Sequence, residues 1–237
     1  MNPIGILIPT FFEAQLVLDS LSKANNLSIQ GKPFYKGLLD KINVIISICG
    51  IGKANSAHST GLLIDRFTPS MLINIGVAGA YPDSCLKIAD LVIAEREIYA
   101  DEGLMTYKDE FASMQGLNLP MVLKEGKTFY NEFETHIPTR LLQDEIRRVT
   151  FLTVSTCTGS VKRARFLTNH YKAQCENMEG SAIAHVACLS GLPFTEIRTI
   201  SNIITDRDEK GINKTDLKHS AEMVQLYLLK NLNKFIE

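Results

Sequence analysis

The chain has 237 residues, 45% of them hydrophobic and 22% charged, which is ample for a sizeable core. Twenty-five Lys and Arg against 26 Asp and Glu leave a formal charge of −1, so nothing global favours nucleic acid or an anionic membrane. Five cysteines (Cys49, Cys85, Cys157, Cys175, Cys188) stand singly, with no CxxC pair and no histidine at metal-ligand spacing. That pattern points to reduced thiols in a cytoplasm and to no metal site.

The chain opens on IGILI (Ile4–Ile8), a continuous apolar run that reads as a strand covered on both faces. The surrounding stretch MNPIGILIPTFFEAQLVL has no basic start and is interrupted by Glu13, so it reads as neither a signal peptide nor a membrane span. A helix is expected over Glu13–Ala24, with Glu13 at the strand-to-helix junction. There a carboxylate either serves the helix dipole or faces a ligand.

PFYKGLLDKINVIISI (Pro33 to Ile48) reads as a hairpin turning near Asp40-Lys41, ending in the strand Val44–Ile48. GIGK (Gly50 to Lys53) lacks the spacing of a phosphate loop and is a tight turn into a helix over Asn55–Arg66. His58 lies within that helix and is read as a structural or interface residue. The strand Met71–Gly79 ends in NIGVAGAYP, where Gly76 and Gly79 permit close backbone approach to a ligand.

Beyond the strand Ala89–Ala94, the segment Ala100–Pro138 mixes aromatics and charges without clear periodicity, and is expected to be a lid or a partner contact. A strand over Phe151–Thr156 and a helix over Lys162–His170 follow. In CENMEGSAIAHVA, Glu179 begins a nearly uncharged apolar helix (Gly180–Ser190), where a merely solvated carboxylate would have polar neighbours. The strand Phe194–Ser201 runs into RTISNIITDRD, and a helix over Thr215–Phe235 closes the chain. Strands alternating with helices, plus one hairpin, give an α/β fold with a mixed sheet in one domain.

IGILIPTFFEA, GIGKANSAH, LINIGVAGA, NMEGSAIAHVA and IRTISN, in that order, resemble the nucleoside phosphorylase/nucleosidase superfamily from Ile4 to Asn202. The resemblance implies a three-layer α/β/α sandwich around a mixed central sheet, phosphorylase/hydrolase-like. It also implies cleavage of purine N-glycosidic bonds and assembly as a homodimer or larger homo-oligomer, with no cofactor or metal. Water would be the co-substrate.

On that resemblance, Met178 and Glu179 match the ribose-gripping pair and Glu13 matches the water-activating carboxylate. Ala78, Gly79, Thr158, Arg198 and Ser201 fall on the substrate-binding wall. Asn74-Ile75-Gly76-Val77 lacks the arginine and serine with which the phosphorylases hold phosphate, so hydrolysis is expected.

Asn202 stands where the methylthioadenosine/S-adenosylhomocysteine nucleosidases carry an aspartic acid that protonates the base. An amide cannot be a general acid, but it complements a 6-oxopurine. PFYKG, NIGVAGAYP, YADEG and STCTGS further resemble the futalosine-hydrolysing branch, whose substrate carries a carboxyphenyl group on its 5′ side. Arg163, Arg165 and Arg207 are candidate cations for that carboxylate, and a stacking aromatic is sought in the Phe111–Phe133 segment. The rival is an adenine-releasing nucleosidase with Asp206 or Asp208 as the acid. A phosphorylase, or a nucleoside-binding protein without turnover, is a more distant reading.

Overall fold

The computed structural model describes residues 2–108, 110–208, 211 and 213–236. Strand β1 (Ile4–Ile8) is buried at every residue and lies parallel to β4 (Ile42–Ile48) on one side and β5 (Met71–Ala80) on the other. Its alternation sorts the core. Ile4, Ile6 and Ile8 pack on one face, and Leu7 packs on the opposite one. At Gly5 a Cβ would lie 2.7 Å from a methyl of Leu63, so the missing side chain lets helix α2 (Lys53–Phe67) sit directly on the sheet.

The expected first helix is much shorter than Glu13–Ala24. Only α1 (Gln15–Asp19) is helical, and Ser22–Ile29 forms an exposed strand, β2, paired antiparallel with β3 (Lys32–Leu39). The segment is rich in Ser and Asn, which are poor helix formers, and the edge of β3 gives its amides partners. A bulge beside Lys23 (φ 52°) twists this edge. The β3–β4 hairpin turns at Asp40 and Lys41, both left-handed (φ 43° and 67°), as the Asp-Lys reading expects.

Beyond β5, strand β6 (Leu91–Tyr99) runs five residues past its apolar run. The segment 100–138 is not structureless. It holds β7 (Gly103–Met105) paired with β8 (Phe111–Ser113), β9 (Val122–Lys124) paired with β10 (Lys127–Phe129), and β11 (Glu132–Glu134) on the edge of β6. Then come β12 (Arg147–Thr153), α3 (Val161–Tyr171), β13 (Cys175–Asn177), α4 (Gly180–Ser190), β14 (Phe194–Ile203) and α5 (Lys214–Asn231).

The main sheet has the order β11-β6-β12-β13-β5-β1-β4-β3-β2, with β14 bridging β5 (parallel) and β6 (antiparallel). Val224 and Leu228 of α5 and Val17 of α1 cover the Ile4/Ile6/Ile8 face. Leu62 and Leu63 of α2 with Ile183 and Ala187 of α4 cover the Leu7 face. The architecture is therefore α/β/α around a mixed sheet. No helix of the described residues is long and apolar enough to cross a membrane.

Candidate active site

A cavity of about 360 Å³ opens where β1, β5 and β14 end and α4 begins. Such strand ends are where α/β sheets hold ligands, because the connecting loops diverge there and leave backbone groups unpaired. Glu13, Ala78, Gly79, Met178, Glu179 and Arg198 line it, as do Ser201 and Asn202. Eight of the nine residues singled out from the sequence thus share one cavity. Thr158 is the exception. It is fully buried and lies outside the lining, while its neighbour Cys157 takes the wall position.

Glu13 is held in place by both carboxylate oxygens. Oε1 accepts the Val77 N–H at 3.0 Å, and Oε2 accepts the Thr10 hydroxyl at 2.6 Å. The carboxyl needs the glycine on β5, since a Cβ at Gly76 would lie 3.0 Å from Glu13 Oε1 and 3.1 Å from Arg198 Nη1. Burial pushes its pKa above the ordinary carboxylate value, against the Thr10 and Val77 hydrogen bonds and the charge of Arg198.

Glu179 occupies the N-cap position of α4 without capping it. Asn177 Oδ1 does that work, accepting the N–H groups of Glu179 (2.8 Å) and Gly180 (2.7 Å). The Glu179 carboxylate is thereby released to face across the fold. Oε1 accepts the Gly52 N–H at 3.0 Å, and Oε2 accepts Arg198 Nη2 at 3.2 Å. Gly52 adopts φ 94°, a conformation that favours glycine, so the GIGK turn serves to aim an amide at Glu179.

Arg198 joins the two carboxylates to the sheet. It donates from Nη1 to the Val77 carbonyl at 2.8 Å and from Nε to Glu196 Oε1 at 2.6 Å. Burial alone would lower its pKa, but Glu196 and Glu179 together hold it above its ordinary value. Beneath this pair lies a second carboxyl, Glu97, fully buried and bonded to Thr153, Ser181 and Asn177. Burial, and then the charge of Glu196, pushes the Glu97 pKa far up. That shift favours the protonated form of Glu97 beside the Glu196 charge. A Cβ at Gly180 would stand 2.0 Å from Glu97 Oε1 and 2.4 Å from Glu196 Oε2. Gly180 is the gap these carboxyls fill.

At the opposite end, β14 contains a bulge between Ile200 and Asn202, with Ile200 opposite Ala78 and Asn202 opposite Gly79. The extra residue lets Ser201 and Asn202, adjacent in sequence, both face the cavity. The Asn202 amide overhangs Gly79, where a Cβ would lie 3.1 Å from Nδ2. On the other flank of Gly79 stands Glu176 of β13, also on the cavity wall. Thr158 anchors Glu176, donating its N–H to Oε1 (2.7 Å) and its hydroxyl to Oε2 (2.6 Å), and Tyr81 donates to Oε2 at 3.0 Å.

Several expectations shift. Of the three candidate cations, Arg207 lines the cavity; Arg163 is not in the lining, and Arg165 lies exposed 4.0 Å from Asp83. Asp206 accepts the Val161 N–H at 2.8 Å, which caps α3 and keeps it out of the cavity wall. No residue of Phe111–Phe133 lines this cavity. Its apolar wall comes from Phe12, Val154, Cys157, Met178 and Leu217. His58 is exposed on α2. Segment 111–134 instead lines much of a separate cavity of about 590 Å³. No cluster of three His, Cys, Asp or Glu suited to a metal occurs among the described residues.

The cavity thus has two carboxylates and a guanidinium at one end, a carboxylate and an amide at the other, and an apolar wall between. That is the donor set for a polyhydroxylated ring joined to a flat polar base, with negative charge where the ring would turn cationic. Residues 3–236 match the sequence pattern described as the Phosphorylase superfamily, and the chain belongs to that family. Within it, the chain belongs with the nucleosidases, a family of N-glycosyl hydrolases.

It is 32% identical, over 220 residues and 90% of each chain, to a 5′-methylthioadenosine/S-adenosylhomocysteine nucleosidase of Geobacillus kaustophilus. Among solved structures, it resembles S-adenosylhomocysteine nucleosidase of Streptococcus pyogenes in complex with 5-methylthiotubericidin. That match has a TM-score of 0.82 and 22% identity, covering 100% of this chain and 98% of the other. It also resembles futalosine hydrolase of Helicobacter pylori, with a TM-score of 0.79 and 23% identity, covering 98% of each chain.

Proposed function

We propose that this enzyme hydrolyses the N-glycosidic bond of a 6-oxopurine nucleoside, with futalosine as the substrate and hypoxanthine as the released base. The observation that carries the reading is Asn202, an amide at the position where base protonation would need an acid. Water held by Glu13 loses its proton to that carboxylate as it attacks C1′. Glu179 accepts hydrogen bonds from the ribose hydroxyls and interacts more strongly as positive charge grows on the ring. Met178 packs on the sugar. Arg198 is a positioning residue, fixing the Glu179 carboxylate while touching the Val77 carbonyl beside Glu13. The C1′–N9 bond breaks with its electron pair on the purine. Asn202 offers N–H to O6, where that negative charge delocalises, and its oxygen to N7–H once the base takes a proton from solvent. Arg207 is the cation available for the 5′ carboxylate, being the one of the three candidates on the wall.

A second reading is favoured by the curated relative, named a methylthioadenosine/S-adenosylhomocysteine nucleosidase. Adenine is a poorer leaving group and calls for an acid at N7, which Asn202 cannot be. Of the two candidate acids, Asp206 caps a helix, and neither it nor Asp208 is in the cavity lining. The test is Asn202→Asp, with kcat/KM measured for futalosine and methylthioadenosine. The ratio should move toward the 6-aminopurine by at least about tenfold. An unchanged ratio removes the base-recognition argument.

A further inference from the structure

Glu176 has no part in the chemistry at C1′, yet it is a buried carboxylate on the wall of the same cavity. Its position follows from the sheet. Glu176 of β13 is in register with Gly79 of β5, and Asn202 of β14 is in register with the same glycine from the other side. Residues paired across strands point to one face, so Glu176 and Asn202 stand on either side of a residue without a side chain. Two strand spacings put their Cα atoms roughly 10 Å apart. That is a slot with a glycine floor, bounded by an amide on one edge and a carboxylate on the other.

The carboxylate is fixed and not saturated. Its two oxygens offer about four acceptor sites. Three are filled, by the Thr158 N–H, the Thr158 hydroxyl and the Tyr81 hydroxyl. Oε2 takes two of these and Oε1 only one, which leaves Oε1 able to accept from a group in the slot. Thr158 and Tyr81 are fully buried, so the carboxylate is braced from behind by rigid partners.

A 6-oxopurine and a 6-aminopurine differ most sharply at N1. The first carries N1–H, a donor; the second has a bare lone pair there, an acceptor. A carboxylate facing N1 bonds the first and repels the second. We infer that Glu176 is a specificity residue that accepts the N1–H of a 6-oxopurine, completing with Asn202 a two-edged reading of the base. This rests on the proposed function and deepens it: Asn202 reads the N7/O6 edge and Glu176 the N1 edge.

The test uses the wild-type enzyme and two variants, with futalosine, its 6-amino counterpart and its N1-methyl derivative as substrates. A hydrogen bond to a charged acceptor in a buried site implies a discrimination of about tenfold or more. Wild type should therefore cleave futalosine at least tenfold better, in kcat/KM, than the N1-methyl derivative. Glu176→Ala, which opens space and removes the acceptor, should erase that preference. Glu176→Gln should lower the ratio of futalosine to its 6-amino counterpart by tenfold or more.

If wild type cleaves the N1-methyl derivative as well as futalosine, the N1–H is not read and the inference falls, whether or not the variants fold. It falls equally if Glu176→Gln lowers both substrates by one factor, since Glu176 then only holds the Thr158 loop. In either case, a wild-type preference for futalosine leaves the proposed function standing. Wild-type preference for the 6-amino substrate overturns both.

Discussion

Replacing Glu13 by Gln separates catalysis from stability, because the structure predicts opposite signs for the two. Gln keeps the local geometry. Its oxygen can accept the Val77 N–H now held at 3.0 Å, and its amide can donate to the Thr10 hydroxyl now at 2.6 Å. What it cannot do is take a proton from water, and loss of a positioned general base lowers rates by about 10²–10⁴. That corresponds to about 2.7–5.4 kcal/mol of transition-state stabilisation at 1.36 kcal/mol per factor of ten.

The stability effect follows from the raised pKa. A carboxyl whose folded pKa lies above its unfolded value binds its proton more tightly when folded. Its stabilising contribution is full below the unfolded value and is lost as pH rises through the folded one. Above its folded pKa the ionised Glu13 therefore works against the fold. Glu13→Gln should melt at or above the wild-type Tm near pH 7, and the gap should close toward pH 4. The assay is base release by chromatography across pH, beside thermal melts of both proteins. Wild-type activity should fall on the acid side as Glu13 takes up its proton, and the variant should lack that limb. Near-native turnover in the variant would refute the role of Glu13, and a large fall in Tm at neutral pH would refute the account of its burial.

Other consequences can be checked in the same preparations. Glu179→Gln should reduce kcat/KM by two orders of magnitude or more, with the fold retained in circular dichroism, since the charge facing the ribose is lost. Arg198→Met should destabilise by about 3–5 kcal/mol in urea titration, because it leaves Glu196 and Glu179 buried without their shared cation. Gly180→Ala should also lower the urea midpoint, as its methyl falls 2.0 Å from Glu97 Oε1. Glu97 has a strongly raised folded pKa, so its stabilisation is lost as pH rises through that value. Glu97→Gln keeps a donor toward Glu196 and should flatten that loss of stability with rising pH.

The parts legible in the sequence are those written in local patterns. Continuous apolar runs marked β1, β4 and β5. Asp40-Lys41 marked a turn, and Glu179 stood out as a carboxylate opening an apolar helix. The parts not legible depend on pairing between distant strands. Ser22–Ile29 becomes a strand because the edge of β3 is available, a fact no local propensity carries. The bulge that turns both Ser201 and Asn202 into the cavity arises from the register of β14 on β5. Glu176, Glu97 and Glu196 are not among the residues that local sequence patterns single out. The clue they offered was the one that marked Glu179, an acidic residue among buried neighbours. Nothing in the sequence hints that two carboxyl groups fill the space at Gly180.

The most direct test supplies the enzyme with equal amounts of futalosine and methylthioadenosine, without phosphate, and identifies the free base by chromatography. Hypoxanthine should accumulate in large excess over adenine, at a rate unchanged when phosphate is added. Adenine as the main product, or turnover that requires phosphate, would contradict the account.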